Sequence, residues 1–279
     1  MIHAVGIAAA IAIVLLLTLL PFFPGRYESL AVPLSTMSQV FGVAGLLLVP
    51  VGALWVASRY SSRLAGQQYG LSIAALIAAS VVGAVVSLSA FVSGGLLLGV
   101  GAITLWICVV SKVRPRVKSM KGAAPRSTSA AAFYLLIVPV VVPLLQMALV
   151  PPAIERSRTR AIRNSAPLIA DIEQYRVARG RYPASLLAFW EDYWPGVIGI
   201  EKYHYEPSGE AYNLFFEQPA LHFGTREFVM YNPRDGQALT SHKQDILRLT
   251  PQELVVDQGR GHYAAHDAAH PHWKYFWFD

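Results

Sequence analysis

The sequence predicts a two-part protein: five transmembrane helices over residues 1–150, then an α+β domain over residues 151–279 with one long amphipathic helix packed on a small antiparallel sheet. Three observations predict it. Hydrophobic residues make up 54% of the chain and charged residues only 14%, far from an average soluble protein. The long uncharged runs all lie in the first part. Beyond residue 151 the apolar pattern changes to a 3.6-residue period and then to short aromatic runs, typical of a helix followed by strands.

Charge separates the same two parts. Residues 1–150 contain nine Lys or Arg and a single acid, Glu28, whereas residues 151–279 contain fourteen Lys or Arg and sixteen Asp or Glu. The positive excess lies in loops between apolar runs, which is typical of the cytoplasmic side of a membrane. We therefore expect membrane lipid, and no nucleic acid, as a partner. The single cysteine, Cys108, allows no intramolecular disulfide.

The uncharged runs set the number of spans. A helix needs about 20 apolar residues to cross a hydrocarbon core of about 30 Å. Four runs are long enough, and they lie within residues 1–25, 29–58, 64–111 and 127–154. The third is too long for one span and predicts two, with a reversal near Ser93-Gly94-Gly95. The first run lacks a basic segment and a small-residue cleavage site, which favours an uncleaved span over a signal peptide.

The loops predict the orientation. Arg59, Arg63 and the six basic residues between positions 112 and 126 fall on one side, which we take as cytoplasmic. The N-terminus is then cytoplasmic and the C-terminal domain periplasmic, in a bacterial inner membrane. Four arginines directly after the last span oppose this orientation: Arg156, Arg158, Arg160 and Arg163. The cytoplasmic assignment stands because eight basic residues lie on that side and five lie near the membrane on the other side. Long translocated domains also depend less on charge.

The C-terminal domain begins with a helix. Its apolar positions from Ile154 onward follow the helical period, and it is predicted to end at Gly180, three residues before Pro183. Short aromatic runs follow, "EKYHYE" and "AYNLFFE" around a turn at 207–210, then "TREFVMYN". They predict antiparallel strands, with the helix across one face of the sheet. The terminal "HWKYFWFD" predicts a last strand by its alternation, and an aromatic membrane anchor is the alternative.

A family resemblance rests on these segments. "IADIEQYRVARGRYPASLLAF", "YHYEPSGEAYNLFFE" and "FVMYNPRDG" resemble the globular part of type IV pilins and type II secretion pseudopilins over about residues 155–236. Tyr175, Gly180, Tyr182 and Pro183 supply the loop pattern of that family. Prepilins begin with a basic leader and a cleavage site, whereas this chain begins "MIHAVGIAAAIAIV". The resemblance therefore implies the fold and a protein partner in an envelope or secretion-related assembly, without processing into a filament.

A histidine cluster is the candidate metal site. If residues 262–270 form a helix, His262, His266 and His270 lie on one face at four-residue spacing, where imidazoles share a metal. The alternative is a solvated, pH-sensitive surface cluster. A metal-binding or metal-sensing membrane protein is thus a second hypothesis for the function.

The sequence predicts no enzyme. The adjacent acids Glu191 and Asp192 favour a solvated loop over an acid–base pair. No P-loop, dinucleotide fingerprint, zinc-protease motif or nucleophile elbow occurs. The predicted spans contain no Asp, Glu, Lys or Arg, which argues against ion-coupled transport. A small-solute carrier remains a third hypothesis, and no cofactor is expected apart from a divalent metal at the histidines.

Overall fold

The chain forms two compact units in a computed structural model, which describes residues 2–58, 67–119, 121, 130–189, 191–208, 210–220, 226–237 and 265–278. The first unit comprises residues 1–20 and 29–151, and the second comprises residues 21–28 and 152–279. The short segment Pro21–Glu28 thus belongs to the second unit, although the sequence analysis placed it with the spans.

Six α-helices occur in the described part of the chain, and they are named here in chain order. They are α1 (Ile2–Leu19), α2 (Ala31–Ala44), α3 (Val49–Ala57), α4 (Gln68–Ser119), α5 (Ala130–Asn164) and α6 (Ala166–Arg179). With α2 and α3 taken together, and α5 with α6, four helices are long and apolar enough to cross a membrane. This confirms the prediction that the first part is largely helical, with helices long and apolar enough for a membrane.

Two breaks in the helices occur where the sequence places Pro and Gly. A 3₁₀ segment, Gly45–Leu48, separates α2 from α3 just before Pro50, whose ring has no N–H to donate to the preceding turn. Within α4, Gly95 has φ 75° and ψ −173°, a backbone that only glycine adopts readily. The Trp106 ring then lies beside Gly83, since a β-carbon built on Gly83 would be 2.7 Å from it. A straight helix would separate these residues by about 35 Å, so α4 is a helical hairpin that turns at Gly95.

The helix α5 passes into α6 with one interruption, at Ser165. The Pro167 ring cannot donate to the carbonyl of Arg163, and the Ser165 hydroxyl instead donates to the Ile162 carbonyl at 2.6 Å. Ala166, one of the apolar positions of the predicted helical period, is exposed, while Leu168 and Ile172 are fully buried.

Within the described residues, the sheet of the second unit has five antiparallel strands in the order β1-β2-β3-β5-β4. They are β1 (His204–Ser208), β2 (Ala211–Gln218), β3 (Arg226–Tyr231), β4 (Ala265–Asp267) and β5 (Trp273–Phe278). The predicted antiparallel sheet is confirmed. Pro207 was predicted in the turn, but it lies in β1 opposite Tyr212; β1 is an edge strand, where a missing N–H costs no ladder bond.

The core of the second unit lies between the helices and one face of the sheet. Leu168 and Ile172 of α6 pack against Leu214, Phe216 and Val229. Each of these side chains is fully buried, and burying a side chain of this size contributes about 1.5–3 kcal/mol. The aliphatic stripe of the helix therefore holds the sheet, as the 3.6-residue period predicted.

The segment Pro21–Glu28, here called the strap, pairs with residues 196–199. The Gly25 N–H donates to the Gly196 carbonyl at 3.1 Å, and the Ile198 N–H donates to the Phe23 carbonyl at 2.9 Å. Pro24 and Val197 form an antiparallel bridge. Beyond the 3₁₀ turn Leu20–Phe22, the strap is therefore a paired segment of the second unit, although α1 precedes it and α2 follows it in the chain.

Candidate functional site

The loop that carries the family resemblance closes α6 against the sheet. Gly180 ends the helix with φ 71°, and its N–H donates to the Arg176 carbonyl at 2.8 Å, a left-handed cap that favours glycine. Pro183 is buried, and its carbonyl accepts a hydrogen bond from the Tyr205 hydroxyl at 2.8 Å. The Tyr182 ring packs edge-on against Tyr212 with the centroids 4.9 Å apart. These contacts are those of a structural loop that fixes the helix to β1 and β2.

The hydroxyl of Tyr182 also joins two charged side chains of α6. Arg176 donates to it at 2.8 Å, and it donates to Glu173 at 3.2 Å. Burial first, and then the Glu173 carboxylate, raises the pKa of Tyr182 above its ordinary value. The phenol is therefore neutral at physiological pH and is not a base or a nucleophile.

Tyr175, the first of the four motif residues in the chain, makes a separate contact. Its ring meets Phe189 edge-on with the centroids 6.1 Å apart, and Phe189 in turn meets Tyr193. The Tyr193 hydroxyl donates to Asp171. The structure thus brings Gly180, Tyr182 and Pro183 to the sheet, while Tyr175 supports the chain that follows them.

A buried ion pair lies further along the sheet face that packs on the helices. The Arg158 guanidinium donates to the Glu227 carboxylate from Nη2 at 2.6 Å and from Nε at 3.0 Å. Trp277 Nε1 donates to the other carboxylate oxygen at 2.9 Å, and Arg158 also pairs with Glu155. Since each charge has a partner, the cluster offers no free group to a substrate, and removing one partner would leave a buried charge uncompensated.

The sequence carried a signal for this pair. In "TREFVMYN", Glu227 occupies the same strand face as Val229 and Tyr231, so an acid on an apolar face implied a buried cation opposite it. Burial confirms that placement, because Glu227 and Val229 are both buried and Arg158 pairs with Glu227.

The candidate metal site is only partly described. His262 lies outside the described residues. His266 lies in strand β4, so the helical spacing that motivated the site is wrong at residues 265–267. The His266 ring stacks on Tyr275 with the centroids 5.0 Å apart, and its Nε2 is buried without a hydrogen-bond partner among the described residues.

The third histidine of the set lies in a different setting. His270 lines an open pocket of about 460 Å³, together with Asp235, Asp267, His272 and Lys274. In that pocket His272 Nδ1 lies 3.1 Å from Asp235, and the Lys274 ammonium lies 3.5 Å from Asp267. Among the described residues no three His, Cys, Asp or Glu side chains converge on a metal position. Metal binding at His262, His266 and His270 stays a prediction.

The helical unit contains a buried polar cluster that the sequence analysis missed. Gln146 of α5 donates from Nε2 to the Thr18 hydroxyl at 2.9 Å and to the Ser38 carbonyl at 3.0 Å. Ser35 donates to the Thr18 carbonyl at 2.6 Å and accepts from Gln39 at 3.0 Å. These bonds join α1, α2 and α5, and the two glutamines inside apolar runs were the available signal.

Comparison with known proteins gave no match. No protein-family model, no curated protein and no solved structure is similar to this chain. The class of molecule is therefore defined by its own structure: a helical unit with four long apolar helices, joined to an α+β unit with a five-stranded antiparallel sheet.

Proposed function

We propose that the chain is an integral protein of a bacterial inner membrane, with five spans and a cytoplasmic N-terminus. In this proposal the α+β unit is a fixed, pseudopilin-like docking module in the periplasm for another protein of an envelope or secretion-related assembly. Three lines of support follow, two on the span count and one on the docking role.

The hairpin at Gly95 supports two spans within α4. The first arm, Gln68 to Gly94, exceeds the roughly 20 residues that a span needs, and the second arm is uncharged from Leu96 to Ser111 before its basic end at Ser119. Counted with α1, the pair α2 and α3, and the first part of α5, these arms make five.

The strap supports the same count independently. The Glu28 N–H donates to the Ile198 carbonyl at 3.0 Å, and the Gly199 N–H donates to the Pro21 carbonyl at 2.8 Å. Backbone groups that share hydrogen bonds lie on one side of a bilayer, so the chain crosses an even number of times between residues 28 and 152. Two crossings by α4 satisfy this condition, whereas a single crossing violates it.

The docking role depends on exposed aliphatic side chains beside the motif loop. Val177 and Leu187 flank residues 180–183 in the chain, and their exposed fractions are 86% and 94%. Exposed apolar groups are common on protein surfaces, but here the neighbouring charged groups Arg176 and Glu173 are engaged with Tyr182. The observation that carries the proposal is the exposure of these two apolar side chains, one at the end of α6 and one in the 3₁₀ turn Leu186–Ala188 after the loop that the Gly180 cap and Pro183 fix in place.

Photo-crosslinking in native membranes tests the docking role. A benzoylphenylalanine placed at Val177 or Leu187 is expected to give one discrete adduct with an envelope protein. The same residue at Lys202, an exposed position of the same unit, is the matched control and is expected to give no adduct. The same adduct pattern at all three positions, or no adduct at Val177 and Leu187, would eliminate the docking role.

A further inference from the structure

A row of exposed arginines follows the last apolar segment on α5. Arg156, Arg160 and Arg163 are exposed, and their spacing of four and then three residues puts them on one helix face. Arg158, between them in the sequence, points the other way and is buried against Glu227. The structure therefore divides the four arginines of this segment into one structural residue and three surface residues.

The charge of these three arginines is uncompensated among the described residues. Glu155 is the only acid between positions 152 and 164, and it pairs with Arg158. No salt bridge within the described residues includes Arg156, Arg160 or Arg163. A face with three free guanidinium groups favours a ligand rich in phosphate or carboxylate.

The position of the row on the helix points to the ligand. The apolar run ends near Val150, and α5 continues without a break to Asn164. At about 1.5 Å per residue, the backbones of Arg156 and Arg160 lie about 9 and 15 Å beyond Val150. The interfacial layer adds about 5–8 Å on each side of the hydrocarbon core, and a long arginine side chain reaches back toward it.

The strap and the loop before β1 contain a second basic and aromatic contact. Asn164, next to Arg163, donates from Nδ2 to the Pro195 carbonyl at 2.8 Å. The neighbouring Trp194 is 51% exposed, and the Arg26 guanidinium lies 5.6 Å from its ring centroid. Tryptophan is enriched at membrane–water interfaces, and Arg26 follows the apolar run of α1 by only a few residues.

We propose that Arg156 and Arg160 form a basic surface that binds the phosphates of anionic phospholipids. The occupant is the lipid of the bilayer that holds α5, because the two arginines follow the apolar run on the same helix and are complementary in charge to anionic headgroups. The inference rests on the membrane insertion included in the proposed function, and it is independent of the docking role.

Lipid titration of the full chain in detergent tests the proposal. Native mass spectrometry would measure the affinity for phosphatidylglycerol and, as an uncharged-headgroup control, phosphatidylcholine. The test variant is Arg156→Gln with Arg160→Gln, and the matched control is Arg179→Gln with Arg181→Gln, which removes the same charge from exposed positions of the same unit. A third variant, Arg156→Lys with Arg160→Lys, retains the charge and covers the case in which the glutamine variant fails to fold.

The wild type is expected to prefer phosphatidylglycerol. Each arginine near an anionic surface changes affinity about fivefold, so the test variant is expected to weaken phosphatidylglycerol binding by roughly 25-fold. The lysine variant and the matched control are expected to stay within about threefold of the wild type. Equal losses in the test and control variants, or no preference in the wild type, would overturn the proposal. Competition by soluble glycerol phosphate at equal concentration would also overturn it, since that outcome defines a small-anion site.

Discussion

The Arg158 guanidinium lies 2.6 Å from the Glu227 carboxylate and 3.9 Å from the centroid of the Tyr275 ring. Both charged side chains are almost completely buried, with exposed fractions of 6% and 2%. The geometry joins the first turns of the second unit in α5 to the central strands β3 and β5. A buried pair of this kind fixes the position of the helix on the sheet, because any other register would leave a charge without a partner.

Loss of one charge from this pair is expected to destabilise the chain strongly. Glu227→Gln keeps the shape of the side chain but removes the buried anion of Arg158 and leaves only the exposed Glu155 as its partner, which costs up to about 3–5 kcal/mol. Denaturant unfolding of the full chain in detergent, followed by tryptophan fluorescence, would measure the loss. Glu210→Gln is the matched control, because the Glu210–Arg234 pair is exposed and exposed pairs contribute little. Similar losses in both variants would contradict the structural role of Glu227.

The contact between Tyr205 and Pro183 predicts a response to alkaline pH. Burial first, and then Tyr182 and Glu173, raises the pKa of Tyr205 to about 12, against about 10 in an unfolded chain. The unfolded state therefore loses this proton first, so the stabilisation is fully present below pH of about 10 and is lost as pH rises toward about 12. Tyr205→Phe is expected to remove this part of the slope and to cost about 1 kcal/mol below pH of about 10 through the lost hydrogen bond.

Stability curves of the full chain from pH 8 upward would test this contact, with wild type and Tyr205→Phe measured in parallel. Other buried tyrosines, including Tyr203 and Tyr212, also have raised pKa values because of burial, so both proteins are expected to weaken at high pH. The informative quantity is the difference between the two curves. A constant difference through the alkaline range would show that Tyr205 is not shielded by the loop.

The polar cluster in the helical unit predicts an effect of Gln146. Gln146→Leu removes the bonds to Thr18 and Ser38, and interhelical hydrogen bonds in membranes contribute about 0.6 kcal/mol on average and up to about 1.7. We expect a loss in this range in a detergent unfolding titration. Met147→Leu is the control, because Met147 is adjacent and 70% exposed. An unchanged midpoint for Gln146→Leu, or an equal shift for Met147→Leu, would show that the cluster does not hold the helices.

The sequence predicted the parts of the fold that depend on residues close to one another in the chain. The period of the apolar residues gave the helix that contains Leu168 and Ile172, and Gly180 and Pro183 gave its end. The reversal in α4 was predictable from Gly94 and Gly95, because a glycine pair tolerates the φ of 75° that the turn requires.

The parts that sequence missed depend on contacts between distant residues. Strand β4 has only three residues, and it is a strand because His266 lies opposite Tyr275 in β5; the histidine spacing alone favoured a helix. The arginines after the last span opposed the predicted orientation. For one of them, Arg158, the reason is again a distant contact, since Glu227 neutralises it. Neither partner is visible in a local window of the sequence.

The strap predicts the sidedness of three positions in the membrane. In a Cys108→Ser background, single cysteines at Tyr27 and Lys202 are expected to react with a membrane-impermeant maleimide from the periplasmic side. A cysteine at Lys118, at the end of α4, is expected to react only after the membrane is opened. All three residues lie outside or at the ends of the apolar runs, so the substitutions leave the proposed spans unchanged.

The labelling pattern separates five spans from four. With five, Tyr27 and Lys202 share one side because α4 crosses twice, and this agrees with the hydrogen bonds between the strap and residues 196–199. With four, Lys118 would react together with Tyr27, and Lys202 would be protected. That second pattern would contradict both the span count and the pairing of the strap, because paired backbone segments cannot lie on opposite faces of a bilayer.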